Sequence, residues 1–253
     1  MYSDLSDQVV LVTGSSRGIG ASVAAAFASV GSRVVLHGRD RSALASVHRR
    51  IVDAGGRAQV ETGDVTRTAD LEQMRARISE MYGPVDVLVA NAGSTRSRPK
   101  PIEEIAESEW RSDVDTNLTA TFLTVKCFLP AMKRRGSGTI ITMSSAAGRR
   151  ATAQTLVAYG AAKAGIQIFT QDLAAQVGPN GVRANCLAPE AIMTDENQDL
   201  VPVDHRQELV DQHPIRRLGT PADVARAALF LASDASGWIS GVVIDIAGGA
   251  VLI

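Results

Sequence analysis

The sequence predicts an α/β fold in which seven parallel strands form one sheet and helices cover both of its faces. Short apolar runs alternate with helix-like segments along the whole chain of 253 residues. Runs such as Val-Val-Leu-Val and Val-Leu-Val are continuously apolar, as expected of strands buried on both faces. A glycine-rich turn joins the first run to an alanine-rich segment. Such alternation is built from right-handed crossovers, which make the strands parallel.

The apolar runs and the segments between them define the predicted elements. Strands are predicted over residues 8–12, 33–36, 58–61, 85–90, 138–143, 182–187 and 242–246. Helices are predicted over residues 21–30, 41–54, 68–82, 107–135, 157–177 and 221–232. Pro221 suits the first position of the last helix, where a missing N–H costs nothing. Asp70 stands early in its helix, near the positive end of the dipole.

No repeat, low-complexity tract or linker divides the chain, so residues 1–253 are predicted to form a single domain. One polar stretch, residues 191–217, contains two prolines and is predicted to be a flexible insertion that covers the substrate. The chain carries 26 Lys and Arg against 27 Asp and Glu, with 45% hydrophobic residues. This balance does not favour nucleic acid or an anionic membrane, and it indicates a small-molecule partner.

The cysteine and histidine patterns and the N-terminus favour a reduced, cytoplasmic, metal-free protein. The chain has 2 cysteines, Cys127 and Cys186, without the spacing of a disulfide framework or metal site. Its 4 histidines show no metal-ligand spacing. No signal peptide is evident, and no apolar run approaches the length of about 18 residues that spans a membrane. We therefore expect a cytoplasmic location and no metal.

The most informative chemical motif is a tyrosine four residues before a lysine on a predicted helix, with two serines upstream. Tyr159 and Lys163 would share one helix face, where a lysine cation stabilises a phenolate and lowers the pKa of the phenol. A hydroxyl of Ser144 or Ser145 would hydrogen-bond a carbonyl or alcohol oxygen and hold it against the phenol. The set suits proton exchange with a C–O group, although an exposed Tyr/Lys pair would give the same spacing.

The glycine-rich turn over residues 13–20 is typical of a phosphate-binding loop. Glycines allow the backbone to approach a pyrophosphate, and the helix N-terminus attracts its charge. The spacing is Gly-x-x-x-Gly-x-Gly, and a turn without a ligand is the alternative interpretation. Four further motifs follow strands three to six: Asp64-Val65, Asn91-Ala92-Gly93, Ser144-Ser145 and residues 189–194. All five lie at the carboxyl rim of the sheet, where such folds bind ligands.

Taken in order, these motifs resemble the short-chain dehydrogenase/reductase family, whose members have a Rossmann-like, doubly wound fold. The resemblance covers essentially the whole chain. It implies that Tyr159 is the general acid/base, that Lys163 lowers its pKa and binds the nicotinamide ribose, and that Ser145 orients the substrate oxygen. Ser145 matches the family serine because it stands three residues before Gly148. Asn117 would hold a water in a proton relay to Lys163.

The resemblance also implies the cofactor-binding set. It comprises Gly14, Ser16, Arg17, Gly18, Ile19, Gly20, Arg39, Asp64, Val65, Asn91, Ala92, Gly93, Tyr159, Lys163, Pro189, Ile192 and Thr194. An acidic residue after strand two would favour NAD, but Gly38 aligns there. Arg17 and Arg39 stand nearby and suit a 2′-phosphate, so NADP(H) is predicted over NAD(H). Asp40 is the counter-argument, though it suits a helix cap, and the two arginines could be ordinary surface charges.

The chain departs from the family pattern at two positions. Glu190 stands where glycine usually follows the proline beside the nicotinamide, so either it points into the substrate pocket or the nicotinamide is placed differently. Ala247 stands where aspartate is common. Residues 94–101, 149–155 and 191–217 are predicted to line the pocket. Arg96, Arg98 and Lys100 could attract an anionic substrate, or they could simply be solvated.

Three functional hypotheses follow. The first is an NADPH-dependent oxidoreductase that interconverts a carbonyl and a secondary alcohol, with a 3-oxoacyl thioester or another small ketone as substrate. The second is an NAD-dependent alcohol or sugar dehydrogenase. The third is a non-catalytic dinucleotide-binding sensor or scaffold, motivated by Glu190. The resemblance also implies a homotetramer built through the helices over residues 107–135 and 157–177 and the C-terminal strand.

Overall fold

The computed structural model describes residues 2–95, 97–151, 156–194 and 203–251. Seven strands form one parallel sheet in the order β3-β2-β1-β4-β5-β6-β7. They are β1 (Val9–Thr13), β2 (Arg33–Gly38), β3 (Arg57–Thr62), β4 (Val87–Ala90), β5 (Gly138–Met143), β6 (Val182–Pro189) and β7 (Val243–Ile246). The predicted fold class is confirmed.

The strand order reverses between β1 and β4, which places the ligand-binding crevice of such folds at their carboxyl ends. In the register, Val10 of β1 lies between Val34 of β2 and Val87 of β4. All five residues of β1 are buried, because helices cover both faces of the sheet. The continuous apolar runs in the sequence are the consequence of that double burial.

Eight α-helices lie within the described part of the chain. They are α1 (Gly18–Ser29), α2 (Arg41–Asp53), α3 (Thr68–Tyr82), α4 (Glu107–Val114), α5 (Ala120–Arg135), α6 (Val157–Val177), α7 (Val203–Asp211) and α8 (Pro221–Ala232). A π-helical turn, Asp115–Thr119, joins α4 to α5 where one long helix was predicted. Helix α7 falls within residues 191–217, where a flexible insertion without a helix was predicted.

Local signals fix where the helices begin. The Asp40 carboxylate accepts a hydrogen bond from the Ala43 N–H and caps α2. Thr220 and Asp223 form a reciprocal capping box at the start of α8, with Pro221 at the first position. One core packs α1, α2 and α8 on the sheet, and a second packs α3, α5 and α6 on the opposite face. Among the described helices, none is long and apolar enough to cross a membrane.

Candidate active site

The predicted motifs meet in a cleft of about 680 Å³ at the carboxyl ends of the strands. Four chain segments form it: the turn after β1, the loop after β4, the loop after β5 with the start of α6, and the loop after β6. The lining residues are Gly14, Arg17, Gly18, Ile19, Gly20, Asn91, Gly93, Ser94, Thr95, Met143, Ser144, Ser145, Ala146, Ala147, Arg150, Leu156, Tyr159, Lys163, Pro189, Glu190, Ala191, Ile192 and Thr194.

Tyr159 and Lys163 lie one turn apart on α6, as the spacing predicts. The Lys163 Nζ is 5.4 Å from the centroid of the Tyr159 ring and donates a hydrogen bond of 2.9 Å to the Met143 carbonyl. The lysine side chain is buried, with 4% of the residue exposed. Burial lowers the pKa of Lys163 from 10.5 to about 8, so its charge is held in an unfavourable environment.

The Tyr159 phenol has a pKa above its ordinary value. Burial is the main cause, the negative charge of Asp113 adds to it, and a hydrogen bond with the Ser145 side chain acts in the opposite direction. The net shift is upward because desolvation of the phenolate outweighs the favourable interactions in this pocket. The lowering of this pKa by Lys163 stays a prediction. At neutral pH the phenol is protonated.

The two neighbouring serines have different surroundings. The Ser144 Oγ donates to the Lys163 carbonyl at 2.8 Å and accepts from the Gln167 side chain at 2.9 Å. It is buried and fixes the start of α6 against β5. The Ser145 Oγ instead accepts from the Ala147 N–H at 3.2 Å and hydrogen-bonds Tyr159. Ser145 is thus the serine that faces the phenol, which is the assignment made from the sequence.

The π-helical turn positions Asn117 beside Lys163. The Asn117 Nδ2 donates to the carbonyls of Ser94 and Asp113 at 2.8 Å and 2.9 Å. Its Oδ1 is buried and has no hydrogen-bond donor within the described residues. A Cβ built on Gly93 would lie 2.6 Å from this Oδ1 and 3.3 Å from the Lys163 Nζ, so both atoms approach the same point. That point has space for a small polar group only because residue 93 is a glycine.

The turn after β1 has the shape of a phosphate cradle. Gly14 has a φ of 66°, and a Cβ there would lie 2.8 Å from the Cα of Ala92. A side chain at Gly20 would meet the Gly14 carbonyl and the Asn91 Nδ2. The Asn91 Nδ2 donates to the carbonyls of Thr13 and Gly14 at 3.0 Å and 3.1 Å. Asn91 therefore braces the turn, and the fit for a pyrophosphate lies in the exposed main chain at the start of α1.

The charges near the end of β2 match the expected 2′-phosphate site in part. Arg17 is exposed, lines the cleft and pairs with no carboxylate in the described part of the chain. Arg39 is exposed and lies 4.0 Å from a carboxylate oxygen of Asp64. Burial raises the pKa of Asp64, but hydrogen bonds from Thr66 and the charge of Arg39 outweigh it, so the pKa is below its ordinary value. Asp40 is committed to capping α2, which removes the main objection to this site.

Known proteins show the family to which this architecture belongs. The family model described as enoyl-(acyl carrier protein) reductase matches residues 14–251. The chain belongs to the short-chain dehydrogenase/reductase family. This short-chain dehydrogenase/reductase is therefore an oxidoreductase that acts on carbonyl or alcohol groups. Members of the family bind nicotinamide dinucleotides.

Individual relatives span almost its whole length. The 3-oxoacyl-[acyl-carrier-protein] reductase of Chlamydia muridarum is 36% identical over 251 residues, 98% of this chain and 99% of that protein. A 7α-hydroxysteroid dehydrogenase solved with NADH and 7-oxo glycochenodeoxycholic acid superposes with a TM-score of 0.92 at 31% identity, covering 98% of this chain and 97% of that one. A 3-oxoacyl-[acyl-carrier protein] reductase from Brucella melitensis, solved with NAD, gives 0.89 at 34% identity, with 98% and 92% covered.

Most predicted site residues of this short-chain dehydrogenase/reductase meet in the cleft, but some do not line it. Ser16, Arg39, Asp64, Val65, Ala92 and Asn117 lie outside its lining. Asn117 nevertheless lies next to the cleft, because its Oδ1 is close to Gly93, which lines the cleft. Lys100 forms an ion pair of 2.6 Å with Glu109, which neutralises the charge that could attract an anionic substrate. Arg96 lies outside the described residues.

Sequence reasoning missed one site residue of this short-chain dehydrogenase/reductase, Asp113, and the ion pair formed by another, Arg150. Asp113 is a buried carboxylate that accepts hydrogen bonds from the side chains of Thr95 and Ser97 at 3.1 Å and 2.9 Å and acts on Tyr159. Nothing in its sequence neighbourhood distinguishes it from other polar helix residues. Arg150 lines the cleft and forms an ion pair of 2.5 Å with Glu190. It fell within a predicted pocket segment, but its partner is 40 residues away.

No metal site is present among the residues that the structure describes. No group of three or more His, Cys, Asp or Glu side chains lies close enough to hold an ion. His37 is buried, its Nδ1 lacks a partner in that part of the chain, and burial lowers its pKa to about 4. It is a neutral core residue next to the glycine-rich turn, and its main-chain N–H donates to the Ser15 Oγ.

Proposed function

We propose that this enzyme reduces a small ketone or 3-oxoacyl thioester to a secondary alcohol with NADPH, and that Tyr159 delivers the proton. One observation carries this: a protonated phenol is hydrogen-bonded to Ser145 in the same cleft as a glycine cradle for a dinucleotide. When bound, the nicotinamide would supply the hydride. Side chains at Gly14, Gly20 and Gly93 would collide with neighbouring atoms, so these glycines leave the main chain open to such a group.

The residues of the cleft have separate tasks in this proposal. Ser145 orients the substrate oxygen towards the Tyr159 hydroxyl. An alkoxide is a far stronger base than a phenolate, so the raised pKa of Tyr159 keeps the proton available without preventing its transfer. Lys163, with a pKa of about 8, is mostly protonated at neutral pH and returns the proton. The unpaired Asn117 Oδ1 would hold a water beside it.

The preference for NADP over NAD rests on charge. The position at the end of β2 where an acidic residue would favour NAD is occupied by Gly38. The exposed guanidinium groups of Arg17 and Arg39 each present several N–H donors that suit a phosphate. An NAD-dependent alcohol or sugar dehydrogenase is the second candidate. The contact between Arg39 and Asp64 favours it, because an arginine already held by a carboxylate has less capacity for a phosphate.

We also propose that the segment over residues 191–217 covers the substrate. The two ends of this segment are held together, because Ile192 forms a β-bridge with Gly219 and the main-chain N–H of Met193 donates to the Gly219 carbonyl at 2.8 Å. Pro189 and Ile192 line the cleft near the start of the segment. A homotetramer is a further proposal. The exposed Phe122 on α5 and Ile168 on α6 give these helices an apolar surface, and light scattering measures the assembly.

The proposed function is tested by Tyr159→Phe, which keeps the ring and removes the proton. We expect NADPH oxidation with a panel of ketones by the unmodified enzyme, and a loss of about 10²- to 10⁴-fold in kcat for the variant, the usual share of general acid catalysis. Fluorescence titration should show unchanged NADPH binding.

The matched control is Tyr82→Phe, since Tyr82 lies at the end of α3, outside the cleft, with Arg33 over its ring. Its turnover should equal that of the unmodified enzyme. If NADPH binds but no ketone is reduced, the protein is better described as a dinucleotide-binding sensor or scaffold. If Tyr159→Phe retains full turnover, the assignment of the proton donor is wrong.

A further inference from the structure

We propose that Glu190 recognises a hydroxyl group on the substrate, close to its reacting carbon, and that Arg150 holds the carboxylate in place. The inference rests on the proposed reduction and narrows its substrate class to small polar ketones that carry a neighbouring hydroxyl. It starts from the residue that breaks the family pattern, a glutamate where glycine is usual. Such a residue brings a carboxylate into the lining of the cleft, at a position where glycine would present main chain alone.

The sheet register places Glu190 beside the reacting groups. In the pairing of β5 with β6, Met143 lies opposite Leu187. β5 ends at Met143 and β6 continues to Pro189, so the two segments start from neighbouring positions, at the spacing of adjacent strands, about 4.8 Å. Two residues beyond that pair stand Ser145 on one chain and Pro189 on the other, and Glu190 follows. Glu190, Ser145 and Tyr159 all line the same cleft.

The two carboxylate oxygens of Glu190 are treated differently. Oε1 accepts from the Arg150 guanidinium at 2.5 Å, and the same guanidinium donates to the Ala250 carbonyl at 2.9 Å. Oε2 is buried and has no donor within the described ranges of the chain. Buried polar atoms nearly always have a partner, so this exception requires one. Because Glu190 lines the cleft, we infer that the donor is supplied by a molecule bound there.

The adjacent arginine shows what a completed pair looks like. Arg149 binds Asp245 through two parallel hydrogen bonds of 2.9 Å and 3.0 Å, so both carboxylate oxygens have a donor. That pair joins the loop after β5 to β7 and leaves nothing for a ligand. The pair of Arg150 and Glu190 is half complete and lies in the cleft wall. A hydroxyl donates one hydrogen bond and is the simplest group that completes it.

The experiment compares two ketones of the same size, 2-hydroxycyclohexanone and 2-methylcyclohexanone, with NADPH. We expect kcat/KM of the unmodified enzyme to favour the hydroxylated ketone by at least about tenfold, because a site built to bind a hydroxyl rejects an analogue that lacks it. In Glu190→Gly, which restores the usual family residue, the ratio should fall close to unity. Glu190→Gln keeps the shape of the side chain and should lower the ratio less.

The control is Glu107→Gln, which breaks the exposed pair between Glu107 and Arg111 on α4, away from the cleft. Its ratio should be that of the unmodified enzyme. An unchanged ratio in Glu190→Gly, with a lower melting temperature, shows a purely structural pair and overturns the inference. An unchanged ratio with weaker NADPH binding assigns the oxygen to the nucleotide and also overturns it. Absence of turnover with every ketone overturns the proposed reduction itself, and this inference with it.

Discussion

The two halves of the cleft are formed by different parts of the chain, main-chain atoms and glycines in one and ionisable side chains in the other. The nucleotide half, formed by Gly14 to Gly20 and Asn91, consists of main chain, glycines and one amide, and it gains its fit from the absence of side chains. The acid/base half, formed by Ser145, Tyr159 and Lys163, buries ionisable groups whose pKa values depart from their ordinary values. The nucleotide half depends on the shape of its main chain. The acid/base half holds ionisable side chains in a buried environment that disfavours their charged forms.

The largest expected effect comes from removing the buried ammonium with Lys163→Met. Turnover should fall by about 10²-fold or more, since the proton donor loses its partner. The free energy of unfolding should rise at pH 7 by up to about 3 kcal/mol, because the folded protein no longer holds a charge whose pKa is lowered from 10.5 to about 8.

The lowered pKa of Lys163 determines how the stability of the protein changes with pH. Below pH 8 the lysine is protonated in both the folded and the unfolded chain, so the full penalty is present. Between pH 8 and 10.5 the unfolded chain binds more protons, and the stability of the unmodified protein rises with pH. The advantage of Lys163→Met should therefore shrink over that window in denaturant titrations. The exposed Lys126→Met is the control, and an equal response in both variants would contradict the burial argument.

The second effect tests the shape-dependent half. Gly14→Ala puts a Cβ at 2.8 Å from the Ala92 Cα on a residue with a φ of 66°. We expect NADPH affinity to fall by about 100-fold, since the left-handed conformation and the contact together cost about 2–3 kcal/mol. Gly55→Ala is the control, because its φ of 82° is also positive but no atom lies within 4 Å of the added Cβ. Isothermal titration of NADPH measures both, Gly55→Ala should bind NADPH as the unmodified enzyme does, and equal losses would contradict the role of the turn at Gly14.

The smallest effect concerns cofactor choice. Arg39→Asp should lower the ratio of kcat/KM for NADPH over NADH by about tenfold, the share of one phosphate contact at an exposed site. Arg49→Ser removes a positive charge from the exposed face of α2 and should leave the ratio unchanged. A ratio that does not move in Arg39→Asp would leave Arg17 as the phosphate contact or favour NAD as the natural cofactor.

Much of this architecture could be predicted from the sequence, because it depends on local patterns. The seven strands follow from apolar runs, and the distinction between Ser144 and Ser145 followed from a family spacing. The π-helical turn around Asn117 could not be predicted, since its residues continue an ordinary helical pattern. The raised pKa of Tyr159 depends on how deeply the fold buries it and on Asp113, 46 positions earlier in the chain by the residue numbers.

A single hydroxyl, that of Thr13, holds together the two segments that form the glycine-lined half of the cleft. The Thr13 Oγ1 accepts from the main-chain N–H groups of Asn91 and Ala92, both at 3.1 Å, and donates to the Val89 carbonyl at 3.4 Å. Its hydrogen-bonding capacity is thus fully used. Separating β1 from β4 would break these three bonds at once, so one hydroxyl ties the end of β1 to the end of β4 beneath the glycine turn.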